Sequence, residues 1–226
     1  MFNDLIDCEE DKKHPKKSLR GLPSGSVSRQ GATALCILLA VVSCVLVFCT
    51  LPALLSILFI YLGLNVLYSL SVKHTAVVDI ILVAFFYVIR IMFGGIATDV
   101  PLSPWIILAT FFLALFLVTG KRKGEYLQPE RRKVLGSYAP QTLDSLLIGS
   151  AALALASYGL WSVLAHPSTV AVYSVIPVAA ILFRMMNNLY LKPEEAESPE
   201  IMVFTDHWVS ALAVLSVHSS WILFYV

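Results

Sequence analysis

The sequence predicts an all-α fold, a multi-pass transmembrane helical bundle. Of its 226 residues, 58% are hydrophobic and only 14% are charged, and the mean hydropathy is +0.80. A soluble domain of this size would not be so apolar. Apolar runs long enough to cross a membrane recur along the chain. Because these runs are continuous and do not alternate with polar residues, they exclude a closed transmembrane barrel of strands.

Seven membrane-spanning helices are expected from these runs. They lie near residues 32–49, 52–70, 79–98, 104–119, 142–164, 169–190 and 207–226. The first residues are acidic and polar, so we expect no cleavable signal peptide. The four cysteines are interpreted as small apolar packing residues, and we predict neither a disulfide nor a zinc site.

The basic residues indicate the orientation of the bundle. All Lys and Arg residues except Arg90 and Arg184 precede the first predicted span or follow the second, fourth or sixth. By the positive-inside rule, the N-terminus and the polar chemistry then face the cytoplasm, in the inner cell membrane. A net charge of +1 gives no argument for binding nucleic acid, and we expect no such partner.

Three carboxylates near the N-terminus form the first candidate site. Asp4, Asp7 and Asp11 are spaced so that a helix would place them on one face. Like charges placed this way favour a bound cation, and ligands that are all oxygen favour Mg²⁺ shared with substrate phosphates. Lys17 and Arg20 follow and would neutralise the remaining phosphate charge. The alternative is a solvated charged tail.

A second polar group surrounds the connection between the second and third predicted spans. Tyr68 lies at the end of one span, Lys73 in the turn and Asp79 at the start of the next span. Asp79 either caps that helix or faces the first carboxylates, with Lys73 contacting a phosphate. Arg90 shares nearly the same helix face as Asp79. An arginine this deep costs about 2.5–3.5 kcal/mol without a polar environment, so we predict a polar cavity on this face.

Lys121 and Arg122 end the fourth predicted span and are candidate phosphate contacts at the mouth of the site. Glu125 follows them and is a weaker candidate. The other polar residues near the spans have interpretations that need no chemistry. Lys123 and residues 131–133 would set the topology, Arg184 would extend to the membrane surface, and Asp144 and Asp206 would cap helices.

Five segments together resemble the UbiA-type intramembrane prenyltransferase superfamily, and within it the decaprenyl-phosphate phosphoribosyltransferases. The first motif, N-D-x-x-D-x-x-x-D, is present in full from Asn3 to Asp11. The other segments are H14-P-K-K with Arg20 and S24-G25, N65-x-x-Y-S-x-x-x-K-H with Asp79, Y87-x-x-R90 with G94-G95 and V100-P-L-S-P-W105, and G120-K-R with Glu125. The likeness extends from the first residue to about Tyr158 and more weakly to the end.

The resemblance implies a reaction and roles for these residues. A polyprenyl phosphate would attack C1 of 5-phosphoribosyl diphosphate (PRPP), and diphosphate would leave with Mg²⁺ as its partner. Asp4, Asp7, Asp11 and Asp79 would be catalytic, the first three as metal ligands and Asp79 as part of the second polar motif. The implied substrate-binding residues are Asn3, Lys17, Arg20, Tyr68, Lys73, Arg90, Lys121 and Arg122. Ser18 and the segment Arg20-Gly21-Leu22 depart from the family pattern.

The resemblance also implies a domain organisation. Residues 1–226 would form one UbiA-like transmembrane domain, with residues 1–30 as a cytoplasmic Asp-rich motif and basic loop. The superfamily generally has nine spans and places the first motif after the second of them, so we expect the chain to be truncated at its N-terminus. Two alternatives stay open, an aromatic prenyltransferase that uses a prenyl diphosphate and an inactive truncated homologue. The oligomeric state, including a homo-oligomer, is not predicted.

Overall fold

The computed structural model describes residues 2–12, 17–127, 133–164, 169–192 and 204–225. Within these ranges the chain is helical and contains no strand. The α-helices are α1 (Phe2–Asp11), α2 (Arg29–Thr50), α3 (Leu55–Leu70), α4 (Val78–Ala97), α5 (Pro104–Tyr126), α6 (Pro140–Leu164), α7 (Val175–Leu191) and α8 (His207–Tyr225). Short 3₁₀ helices lie between them at Lys17–Leu19, Pro52–Leu54, Val72–His74, Lys133–Ser137 and Thr169–Ser174.

Six helical segments among the described residues are long and apolar enough to cross a membrane. They are Arg29–Thr50, Pro52–Leu70, Val78–Ala97, Pro104–Tyr126, Gln141–Leu164 and Ala171–Leu191. The predicted fold class and the first six predicted spans are therefore confirmed, and the chain is an integral membrane protein. The seventh predicted span begins at α8 as expected, and the part of α8 whose side chains the structure describes, His207–Val217, is apolar.

Local sequence signals explain where the spanning helices begin. The Ser28 hydroxyl accepts a hydrogen bond of 3.1 Å from the Gly31 N–H and caps α2. Ser103 caps α5 by accepting from the Trp105 N–H at 3.2 Å, and Pro104 fills the first helical position, where its missing N–H costs nothing. Each of these serines lies just before an apolar run, so the helix begins where the run begins.

Two apolar clusters hold the helices together. The first joins α5, α6, α7 and α8 around the fully buried Leu147 and Val209. The second joins α4, α5 and α6 around Ile80, Leu135 and Leu143. By contrast, α2 buries only Ala32 and exposes most of its large apolar side chains, as expected for a helix surrounded by lipid.

The connection between α4 and α5 packs tightly against Gly95. A Cβ atom placed on Gly95 would come within 2.8 Å of the Leu102 side chain and 3.1 Å of the Val100 carbonyl oxygen. Asp99 in this connection adopts a left-handed φ of +55°, a conformation that Asp tolerates better than most residues. At the neighbouring Gly94 the same atom would meet open space.

Candidate active site

Many polar side chains lie at one end of the bundle. We call it the basic end, defined by α1, the 71–77 connection, the last turns of α5 and residues 133–138 of the α5–α6 connection. Because α3 and α5 run towards this end while α4 and α6 start from it, segments far apart in the sequence meet there. The predicted groups around residues 4–11, 68–79 and 121–125 all lie at this end.

The first of these groups is the carboxylate face of α1. The predicted helix is present as Phe2–Asp11. The Arg20 Nη1 atom lies 3.3 Å from Asp4 Oδ1 and 3.6 Å from Asp11 Oδ2. Lys73 donates a hydrogen bond to Asp7 Oδ1, across 66 residues of sequence. Since Lys73 is 8% exposed and Asp7 19%, the interpretation of this segment as a solvated charged tail is wrong.

Asn3 adds an unusual feature beside Asp7. Its Nδ2 atom donates to Asp7 Oδ2 at 2.9 Å, while its Oδ1 atom is buried and has no hydrogen-bond partner. Among the described residues, no three His, Cys, Asp or Glu side chains are gathered closely enough to hold a metal ion. Asp7 instead binds Lys73, and Asp4 and Asp11 lie next to Arg20.

A buried ion network forms the second group. Asp79 is fully buried, and its Oδ2 atom accepts from Arg122 Nε at 3.0 Å. Arg122 also donates from Nη1 to Glu125 Oε2 at 3.1 Å and from Nη2 to the Tyr68 hydroxyl at 3.3 Å. The N-cap of α4 is Val77, which makes no side-chain capping bond. The capping role considered for Asp79 is therefore wrong, because its carboxylate is used by Arg122.

Tyr138 completes this network and is the residue that the sequence analysis missed. Its hydroxyl donates to Asp79 Oδ1 at 2.5 Å and accepts from the Val77 N–H at 2.6 Å. Burial and the hydrogen bond to Asp79 raise the pKa of the phenol well above its ordinary value of 10.0. The phenol therefore stays protonated at physiological pH. A lone Tyr in a polar connection carries no sequence signal for this role.

Lys123 belongs to a separate polar group at the same end. Its Nζ atom lies 2.9 Å from Asp144 Oδ1, to which the Tyr190 hydroxyl donates at 2.6 Å. The ammonium also lies over the rings of Tyr126 and Tyr190. The prediction that Asp144 caps a helix is wrong, because Asp144 lies inside α6 and its carboxylate binds Lys123 and Tyr190. The contribution of Lys123 to the topology stays a prediction.

Asp206 joins α7 to α8. It caps α8 as predicted, by accepting from the backbone N–H groups of Trp208 and Val209. It also accepts from Asn188 at 2.6 Å and from Arg184 at 2.9 Å. The hydrogen bond from Asn188 is the largest of the causes that lower the pKa of Asp206 to about 2. Arg184 is thus ion-paired with Asp206, and its extension to the membrane surface stays a prediction.

Arg90 is not brought into the site. A helix rises about 1.5 Å per residue, so Arg90 lies about 16 Å along α4 from Asp79. Its guanidinium donates to the Tyr61 hydroxyl at 2.6 and 3.1 Å and lies over the rings of Tyr61 and Tyr87. The side chain is exposed, so the predicted polar cavity around it is not observed in the described chain. Two tyrosines satisfy it instead.

Lys121 and Lys17 are the other two residues that were predicted to contact a phosphate. Lys121 lies in the last turns of α5 and is partly exposed. The side chain of Lys17 lies outside the described residues. The basic end thus unites Asn3, Asp4, Asp7, Asp11, Arg20, Tyr68, Lys73, Asp79, Lys121 and Arg122.

Comparison with known proteins identifies the family. The profile of the "UbiA prenyltransferase family" matches residues 1–209. The chain belongs to the UbiA prenyltransferase family. This confirms the resemblance seen in the motifs of the sequence, and it makes the chain a member of a family of transferases.

The proteins similar to this chain include two kinds of named transferase. The decaprenyl-phosphate phosphoribosyltransferase of Mycobacterium tuberculosis is 36% identical over 167 residues, which are 72% of this chain and 55% of that protein. The protein of the same name in Corynebacterium glutamicum is 34% identical over 168 residues, 71% of this chain and 51% of that protein. A 4-hydroxybenzoate octaprenyltransferase of Francisella tularensis subsp. novicida is 35% identical over 117 residues, 50% of this chain and 39% of that protein. The chain therefore spans about half the length of the phosphoribosyltransferases that it matches.

Proposed function

We propose that this chain transfers the 5-phosphoribosyl group of PRPP to a polyprenyl phosphate at the basic end. The observation that carries the proposal is the contact between Lys73 and Asp7. It brings a buried cation from the α3–α4 connection onto the carboxylate face of α1. Carboxylates with adjacent cations suit a diphosphate that carries a metal ion, since the carboxylates would hold the ion and the cations would neutralise the remaining phosphate charge.

The α1 face suits Mg²⁺ in the chemistry of its donors. Asp4, Asp7 and Asp11 offer only hard oxygen ligands, which Mg²⁺ prefers. Arg20 Nη1 already lies as a positive charge between Asp4 and Asp11, and the buried Asn3 Oδ1 atom lacks a donor. In the structure these three carboxylates are not gathered closely enough for a metal ion. We propose that they would converge on Mg²⁺ once Arg20 and Lys73 leave them, and that the ion would neutralise the charge that develops on the departing diphosphate.

Substrate binding then requires the cations to exchange partners. Arg20 and Lys73 are paired with carboxylates of α1 in the structure. When Mg²⁺ and PRPP bind, the two side chains are expected to leave those carboxylates and donate to phosphate oxygens. This exchange keeps every charge near a partner of opposite sign, so no bare carboxylate or ammonium is left in a buried site.

The transfer itself needs no nucleophile from the protein. An oxygen of the polyprenyl phosphate forms a bond to C1 of the ribose, and the bond from C1 to the diphosphate oxygen breaks. Diphosphate carries away the electron pair of that bond. The chain holds the two phosphate-bearing substrates so that these atoms are aligned, which converts an encounter between two molecules into a reaction within one complex.

Asp79 and Arg122 have a supporting role in this proposal. Both oxygens of Asp79 accept hydrogen bonds, from Arg122 and Tyr138, and three nitrogens of Arg122 are used by Asp79, Glu125 and Tyr68. Asp79 is therefore poorly placed to bind a second metal ion. A single carboxylate-rich metal site favours the sugar diphosphate donor over a prenyl diphosphate donor, and Lys121 remains as an accessible phosphate contact.

The orientation is part of the proposal. The positive-inside rule would place the basic end in the cytoplasm and the α4–α5 connection on the other side of the inner membrane. In a chain whose four native cysteines are replaced by alanine, a thiol reagent that cannot cross the membrane would then label Ser103→Cys but not Ser26→Cys in intact cells. The reverse pattern would contradict the orientation.

A transfer assay tests the reaction. Membranes containing the chain are incubated with Mg²⁺, PRPP labelled in the ribose and a C50–C55 polyprenyl phosphate, and label is measured in the lipid extract. We expect label to enter the lipid with the wild-type chain and to fall at least about 100-fold with Asp7→Asn, as for loss of a metal or phosphate contact. Asp99→Asn is the matched control, because Asn also tolerates the left-handed φ at this position, and it should keep full activity. Transfer from a prenyl diphosphate but not from PRPP would overturn the proposal.

A further inference from the structure

The α3–α4 connection contains a backbone conformation that its sequence does not favour. Val77 adopts φ +69° and ψ −47°. These angles correspond to a rare, strained γ-turn, and a β-branched residue adopts them only under constraint. Strain of this kind persists where the surroundings impose it, and it is concentrated at functional sites.

Tyr138 supplies that constraint from another connection. Its hydroxyl accepts from the Val77 N–H at 2.6 Å and donates to Asp79 Oδ1 at 2.5 Å. The side chain is 5% exposed, so no bulk water is at hand to replace either bond. Both the donor and an acceptor site of the hydroxyl are used. Phenylalanine would leave the part-buried Val77 N–H and the Oδ1 atom of the buried Asp79 without this partner.

The same connection carries Lys73 on its 3₁₀ turn, Val72–His74. Backbone bonds from Thr75 N–H to Val72 O at 2.9 Å and from Asp79 N–H to Thr75 O at 3.1 Å link this turn to the start of α4. The path from Tyr138 to Lys73 is therefore short and continuous. The position of the Lys73 ammonium on Asp7 depends on the conformation of this connection.

We propose that Tyr138 is a positioning residue, whose hydroxyl holds the strained turn at Val77 and thereby places Lys73 at the carboxylate face of α1. The effect on catalysis rests on the proposed function, in which Lys73 moves to a phosphate of PRPP. The effect on Lys73 itself does not rest on it. The two can therefore be tested separately.

Amine labelling tests the geometry without any turnover. The full chain in detergent is treated briefly with an N-hydroxysuccinimide ester, and the modification of each lysine is measured by mass spectrometry. We expect Lys73 to react slowly in the wild type and about tenfold faster in Tyr138→Phe, which corresponds to about 1.4 kcal/mol. Lys123 is the internal control, because it is also buried and ion-paired but lies in a separate group. Tyr158→Phe, which removes a hydroxyl bonded to Ser174, is the matched variant and should leave Lys73 unchanged.

The outcomes are distinct. A faster reaction of Lys73 alone in Tyr138→Phe supports the proposal. An unchanged rate at Lys73 overturns it. Faster reaction of Lys73 and Lys123 together also overturns it, because the hydroxyl would then stabilise the whole bundle and not the position of one side chain.

The catalytic part is tested with a double-variant cycle in the transfer assay. Tyr138→Phe should raise KM for PRPP about tenfold with a smaller change in kcat, because it weakens a contact made in the bound ground state. Combined with Lys73→Met, it should cause no further loss, since the residue through which it acts is already absent. Independent, additive losses would overturn the catalytic role of Tyr138. If no variant and no wild-type chain uses PRPP, the proposed function fails, while the labelling result still decides the positioning.

Discussion

The buried Arg122 guanidinium gives the sharpest prediction about stability. Arg122 is 5% exposed and bridges Asp79, which is 0% exposed, and Glu125, which is 9% exposed. Arg122→Met keeps most of the side-chain volume but leaves two buried carboxylates without their cation. Removing one partner of a buried pair typically costs about 3–5 kcal/mol, so we expect a loss of this size in the free energy of unfolding.

The matched control is an arginine in an exposed ion pair at the same end of the bundle. Arg29 lies 3.9 Å from Glu9, and the two side chains are 59% and 63% exposed. Water screens such a pair, and exposed pairs contribute about 0–1 kcal/mol. Arg29→Met should therefore change the free energy of unfolding by less than about 1 kcal/mol.

Reversible unfolding of the purified chain in mixed micelles, followed by tryptophan fluorescence, measures both variants. The double variant Asp79→Asn with Arg122→Met adds a test of cause. Asparagine still accepts the hydrogen bond from Tyr138 but carries no charge, so at least about 1 kcal/mol of the loss should return. Equal losses for Arg122→Met and Arg29→Met, or no recovery in the double variant, would refute the reasoning.

Three further predictions follow from local contacts. The folded-state pKa of Asp206 is lowered from 3.8 to about 2. The ionised carboxylate should therefore contribute fully to stability above pH 4, and this contribution should be lost as the pH falls towards 2. In Asp206→Asn, the part of the fall in melting temperature that this carboxylate causes between pH 4 and pH 2 should be absent. Gly95→Ala should lower the free energy of unfolding by about 1–3 kcal/mol through overpacking, whereas Gly94→Ala, which points into open space, should change it by no more than about 0.5 kcal/mol. Lys123→Met should lower the melting temperature because it breaks the ion pair with Asp144 on α6, whereas Lys121→Met should not. Equal melting temperatures for the two lysine variants would contradict a stabilising role of this ion pair.

The membrane helices could be predicted from the sequence because lipid imposes one strong rule. A spanning segment must be apolar over its full length and must satisfy its own backbone. The limits of the helices were harder to predict where polar residues extend a helix. The fourth span was expected to end at residue 119, but α5 continues to Tyr126. Its last turns remain helical because Arg122 pairs with the buried Asp79 and Lys123 pairs with Asp144 on α6, which the sequence alone does not reveal.

The site could be predicted only in part. The spacing of Asp4, Asp7 and Asp11 predicted a shared helix face, since that depends on local geometry alone. The partners of these groups are set by tertiary packing. Lys73 reaches Asp7 across 66 residues, and Tyr138 reaches Asp79 across 59. Arg90 was expected to share the site because it shares a helix face with Asp79, but distance along the helix separates them.

In the proposed reaction, the carboxylates of Asp4, Asp7 and Asp11 and the phosphates of PRPP would bind one divalent ion. Mn²⁺ can replace Mg²⁺ as a probe, and electron paramagnetic resonance measures how much of it is free in solution. We expect PRPP to strengthen Mn²⁺ binding to the wild-type chain and to Asp99→Asn, and Asp7→Asn to weaken this binding at least about tenfold. Equally tight binding of Mn²⁺ with PRPP to Asp7→Asn and to the wild type would contradict it.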